Sequence, residues 1–217
     1  MITLKEQISN FSNNSPIIAT TFNFDVKAIN ELICANKNLR KKSIVIADKQ
    51  FINSEMNFSF NGQGHNYFLY PALNTKESFH PKIICSCEEG ILKIILGSHN
   101  LTQAGINNNL ELTSFLSIPI IENYENELRA FSSFYSGVHA QLSNIEKGDP
   151  ATHEIQNIIN LITDPAPYDT NHKKEYNFKF LHTFNKPLFD QLNDILPTIN
   201  HVTICSPILS ESEGFIS

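Results

Sequence analysis

Phe79-His80-Pro81-Lys82-Ile83-Ile84, followed by Ile91-Leu92-Lys93-Ile94-Ile95-Leu96 and then Gly97-Ser98-His99-Asn100-Leu101-Thr102, is the stretch on which the fold turns. Read as two apolar strands joined by the turn Glu88-Glu89-Gly90, it predicts a hairpin with polar groups gathered at its open end. If a strand begins at His80, side chains alternate faces and His80 and Lys82 point the same way. One offers an imidazole nitrogen, the other a fixed positive charge. The Gly-Ser-x-Asn turn adds a hydroxyl, a carboxamide and backbone N–H groups. Such a set suits a displacement at phosphorus and asks for no metal.

Outward from this core the chain alternates strands and helices. Ile17–Phe22 and Ser43–Asp48 are short apolar runs with strand character, and Tyr67–Tyr70 is a third. Asp25 is placed to cap a helix running to about Lys37, with Ile29, Leu32 and Ile33 on one face. Residues 49–65 look looser, and Asn61-Gly62-Gln63-Gly64 signals a turn rather than a phosphate loop. Leu110–Ile118 reads as a further strand, and 122–140 and 152–162 as helices, the first striped by Leu128, Phe131, Phe134 and Tyr135. The expectation is an α/β sandwich with a mixed, mostly buried sheet flanked by helices.

The ordered series His80-x-Lys82, Gly97-Ser98-x-Asn100, Gly105 and Asn109-Leu110-Glu111 resembles the phospholipase D superfamily. It is most similar to the nuclease-like branch, which includes metal-independent restriction endonucleases and tyrosyl-DNA phosphodiesterase. The resemblance spans about residues 15–140. It implies a phospholipase D-like fold, His80 as a nucleophile forming a phosphohistidine, and Lys82 holding the phosphate and stabilising its transition-state charge. It implies that Asn100 grips a phosphate oxygen, that Ser98 helps bind or orient, and that Glu111 bonds the imidazole and fixes its tautomer. Ser98 and Asn100 also suit a helix N-cap, a role compatible with anion binding. His99 stands at the variable position and receives no role. One departure from the pattern is plain: the motif Asp expected at position 87 is Cys87. This favours the nuclease branch over phospholipid hydrolases or transferases, which remain the alternative enzyme class. A non-catalytic lobe for nucleic-acid binding or dimerisation is the alternative of another kind.

The implied chemistry uses two His-x-Lys sets, the second supplying the general acid. The ordered series occurs once, so a homodimer or a second lobe is expected to complete the site. Thr21-Phe22-Asn23, a helix, and Lys42–Asp48 are echoed about 160 residues later by Thr183-Phe184-Asn185, a helical stretch 188–196, and His201–Pro207. On that basis residues 1–175 are expected to form the catalytic lobe. Residues 176–217 are then the start of a second, truncated lobe or a C-terminal extension.

Bulk properties set the remaining bounds. The 217 residues, 41% hydrophobic and 18% charged, describe a globular chain able to bury a core. A net charge of −6 argues against a general nucleic-acid coat protein, while leaving room for a nuclease with a locally basic cleft. There is no apolar run of about 18 residues and no signal-peptide pattern at the N-terminus. Cys34, Cys85, Cys87 and Cys205 lack zinc-site spacing and read as free thiols, which with the rest predicts a cytoplasmic protein. The other histidines show no metal-binding spacing, and no metal or cofactor is expected. DNA is the expected substrate of a restriction or defence enzyme.

Overall fold

The computed structural model describes residues 4–9, 11, 15–33, 43–55, 67–72, 78–108, 111–142, 149–171, 174, 178–184 and 186–195. Residues up to Phe180 form one compact unit and those from Leu181 a second.

Among its described residues the first unit has six strands: β1 Ile18–Thr21, β2 Ser43–Asp48, β3 Tyr67–Ala72, β4 Ile83–Glu88, β5 Ile91–Gly97 and β6 Thr113–Pro119. They lie in the order β3-β2-β1-β4-β5-β6. β1, β2 and β3 run parallel, while β4, β5 and β6 alternate antiparallel. The expected α/β class and mixed sheet are therefore present. β1 and β2 are buried along their whole length, as strands covered on both faces must be.

Helices α1 Leu4–Ser9, α2 Val26–Ile33 and α3 Lys49–Glu55 cover one face. There Leu4, Ile8, Ile29, Leu32 and Ile52 pack with Ala19, Val45, Leu69, Ile84 and Ile95 from the strands. On the other face lie α4 Glu125–Gln141 and α5 Pro150–Thr163. Tyr135 of α4 lies beside Cys85, and Asp149, which caps α5 by accepting from Ala151 N at 2.8 Å, lies beside Tyr70. Leu128, Phe131, Phe134 and Tyr135 are all buried, as the expected stripe requires.

Three local expectations change. The segment His80-Pro81-Lys82 precedes β4, which begins at Ile83. Proline has no N–H for a ladder, and pairing to β1 starts at Ile83↔Thr20. Residues 49–55 are helical rather than loose, because Asp48 Oδ1 accepts from Gln50 N at 2.9 Å and starts the turn. β6 begins at Thr113, with residue 110 outside the described residues. The β4–β5 turn is the two-residue Glu89-Gly90, both at positive φ (50° and 76°), which matches the twist of a tight hairpin.

In the second unit, α6 Leu188–Ile195 falls where the echo predicts a helix. The echoed strand at 201–207 lies outside the described residues, as do Cys34 and Cys205.

Candidate functional site

The sheet topology brings the motif residues to one edge. β4 runs against β1, β5 against β4, and β6 against β5, with Ile83↔Thr20, Ile83↔Leu96 and Gly97↔Thr113 in register. The starts of β4 and β6 therefore meet the ends of β1, β2 and β5. His80 and Lys82 lead into β4, Ser98 and Asn100 follow β5, and Glu111 leads into β6.

His80 is exposed and Lys82 half-buried, and Lys82 Nζ lies 2.8 Å from His80 Nδ1 and 3.3 Å from Nε2. An ammonium can only donate, so the ring nitrogen it faces is unprotonated. Burial, and then the Lys82 charge, lower the His80 pKa below its ordinary value, while Asp48 acts the other way. Burial also lowers the Lys82 pKa, against the opposing effect of Glu111. The face of His80 packs on Phe22, with ring centroids 4.4 Å apart, and Phe22 meets Phe51 edge-on at 4.8 Å. Lys82 Nζ sits 6.0 Å from the Phe22 centroid.

The loop after β5 is stapled to the β1–α2 connection. Leu101 N donates to Thr21 Oγ1 at 3.1 Å, Asp25 N to Leu101 O at 2.9 Å, and Gln103 N to Asp25 Oδ2 at 2.6 Å. The other oxygen of Asp25 caps α2 through Ala28 N at 2.6 Å. Asn100 Oδ1 accepts from Asn23 N at 3.4 Å, which leaves Nδ2 as the donor end of that amide. The backbone of Ala104–Asn108 then winds in a π-helical turn, and Gly105 N donates to Thr102 Oγ1 at 3.1 Å.

Ser98 Oγ donates to Glu111 Oε2 and accepts from Leu112 N at 3.0 Å, while Ser98 N donates to Leu112 O at 3.0 Å. Glu111 is thus joined to Ser98, a bond the sequence did not lead one to expect. The carboxylate whose charge bears on His80 is Asp48, a residue the sequence reading passed over. It is 3% exposed at the end of β2, and its Oδ2 accepts from Phe79 N at 2.7 Å. Only the position of Asp48 as the polar stop of an apolar strand hinted at this. Phe22 was missed likewise, since pairing it with His80 needs the β1–β4 register.

Cys87 pairs with Leu92 near the hairpin turn. At about 3.3 Å per residue it stands roughly 16 Å along the chain from Lys82. Burial pushes its thiol up to about 12. Cys85 and Cys87 are both free. The bare His-x-Lys spacing also recurs at His172-Lys173-Lys174, without a Gly-Ser-x-Asn turn after it. His172 and Lys173 lie outside the described residues. Lys174 Nζ is 2.5 Å from Glu127 Oε1 and 5.6 Å from the Tyr124 ring centroid, so it is committed to a largely buried ion pair on α4. Among the described residues no group of three or more His, Cys, Asp or Glu side chains is arranged to hold a metal, and no helix is long and apolar enough to cross a membrane.

Among the solved structures to which the chain is similar is a phospholipase D family member, Nuc from Salmonella typhimurium, at 16% identity over 61% of this chain and 84% of that one, with a TM-score of 0.41. Another is NucT from Helicobacter pylori, at 18% identity over 61% and 83%, with a TM-score of 0.37. No protein-family model and no curated protein matches. At these scores the likenesses carry no weight, and the chemistry is read from the side chains of this chain.

Proposed function

We propose that this chain is a phosphodiesterase that cleaves DNA through a phosphohistidine at His80, without a metal. The observation that carries the reading is the pairing of an unprotonated His80 nitrogen with Lys82 Nζ at 2.8 Å, at the sheet edge shared with Ser98, Asn100 and Glu111. A phosphate entering this edge competes for the Lys82 ammonium, draws it off the imidazole and uncovers the lone pair. The imidazole nitrogen attacks phosphorus and the bond to one ester oxygen breaks. Lys82 and the Asn100 amide then face the charge that gathers on the non-bridging oxygens. Water resolves the phosphohistidine in a second displacement.

The departing oxygen needs a proton, and the chain holds the ordered motif series once. We assign the donor to a second copy of His80 across a homodimer, or to a second lobe. The motif resemblance supports DNA as substrate and a restriction or defence role. The distance of Cys87 from His80 is compatible with a working nucleophile.

The test is nicking of supercoiled plasmid in excess EDTA by the chain and its His80→Ala variant, with mass measured by light scattering. EDTA-resistant nicking by a dimer, abolished in the variant, is the expected result. Nicking that survives in His80→Ala would overturn the assignment. DNA binding equal in both proteins with no cleavage by either would favour a binding module.

A further inference from the structure

The sequence gives His99 no task, and it occupies the position between Ser98 and Asn100. Its ring is 2% exposed, and neither Nδ1 nor Nε2 has a hydrogen-bond partner among the described residues. A buried imidazole with both nitrogens unpaired is costly, and an apolar ring in the same space would avoid that cost. The backbone is shaped around it. A Cβ on Gly97 would lie 2.2 Å from His99 Nδ1 and 2.4 Å from Cε1, so the glycine clears the volume that the imidazole fills. The charged groups that act on the ring are Glu111, from the segment leading into β6, and Lys82, from the segment leading into β4. Burial and Lys82 favour the neutral ring; Glu111 favours the cation.

Glu111 meanwhile accepts from Ser98 Oγ, whose oxygen is also engaged by Leu112 N. In that arrangement the Ser98 hydroxyl is occupied and has no proton left for a phosphate. We propose that His99 is a positioning residue of this site, an alternative partner for the Glu111 carboxylate that decides when Ser98 is released toward substrate. When the ring takes a proton, Glu111 turns from Ser98 to the imidazolium and the hydroxyl is free to donate to a phosphate oxygen. When the ring is neutral, Ser98 keeps the carboxylate. The incoming phosphate provides the bias, because it draws Lys82 toward itself and removes the charge that opposes protonation of His99. This role deepens the phosphodiesterase reading and rests on it.

His99→Phe keeps the volume and removes both nitrogens, and His99→Gln keeps a polar group that cannot titrate. A purely structural role makes His99→Phe neutral or stabilising and leaves turnover alone. The proposal expects an undiminished Tm with kcat lowered roughly tenfold to a hundredfold and KM little changed, the scale of a misplaced reacting group. It expects His99→Gln to recover part of kcat and to lose one ionisation from the pH profile. Wild-type kcat and pH profile in His99→Phe would overturn it. If His99→Phe fails to fold, the His99→Gln profile decides alone. The coupling also has a readout independent of cleavage, the NMR titration of the His99 ring in the wild type and in Glu111→Gln. A lower His99 pKa in Glu111→Gln supports the proposal even where the wild type cleaves nothing, which would count against the phosphodiesterase reading only. An unchanged His99 pKa in Glu111→Gln would sink it.

Discussion

Asp48→Asn separates the two tasks assigned to this buried carboxylate. One oxygen accepts from Gln50 N and starts α3; the other accepts from Phe79 N and holds the segment that carries His80. Asparagine is as good an N-cap as aspartate, so its Oδ1 retains the Gln50 bond at little cost. Its NH2 then faces the Phe79 N–H, donor against donor, in a place closed to water. Losing one buried charge-assisted bond costs about 1.5–3 kcal/mol. At about 2–4 °C per kcal/mol for a chain of this length, Tm falls by about 3–12 °C. The second task is electrostatic. The Asp48 charge favours the protonated form of His80, so its removal lowers the His80 pKa further. The acidic limb of kcat/KM therefore moves to lower pH, because the neutral nucleophile persists there. Urea unfolding with a constant m-value gives the first quantity, and NMR titration of the His80 ring gives the second. A stability change under about 0.5 kcal/mol, or a His80 pKa that rises, would refute the reasoning.

Other consequences can be checked on the same protein. In the wild type, kcat/KM should rise with pH as the attacking His80 loses its proton, with a midpoint below the ordinary 6.5, and fall again at higher pH as the donor to the departing oxygen loses its own. A pH–rate profile with the acidic midpoint above 6.5 would contradict the assignment of the nucleophile. Gly97→Ala should destabilise the chain by about 1–3 kcal/mol, since the new Cβ meets the His99 ring and lies 2.9 Å from Leu112 O; denaturant unfolding measures it. Cys85 and Cys87 should resist thiol reagents at pH 8 in the folded protein, because burial disfavours both thiolates, and should react fully once urea unfolds it.

The elements legible in the sequence are those that local pattern dictates. Ile44-Val45-Ile46 and Ile94-Ile95-Leu96 are apolar runs that sheet burial explains, and α4 announces itself by helical spacing of Leu128, Phe131, Phe134 and Tyr135. Asp25 was recognisable as a cap because capping is a contact between near neighbours. What the sequence hid depends on register between distant segments. The Phe22–His80 packing, the Asp48–Phe79 bond and the Ser98–Glu111 bond each join residues from different strands or their leading segments. Glu111 shows the limit most clearly: its place in the motif was readable, its bond to Ser98 was not. His99 was hidden for a different reason, since a single histidine in a turn gives no sign of burial until the glycine beneath it is seen to make room.

The most direct test of the central claim is capture of the covalent intermediate. Wild-type protein is mixed with a short DNA duplex in EDTA, quenched in alkali, where a phosphohistidine survives, and examined by intact mass and fragmentation. The account predicts a nucleotide adduct on His80, absent from His80→Ala. Cleavage with the adduct on another residue, or cleavage that EDTA abolishes with no adduct formed, would contradict it.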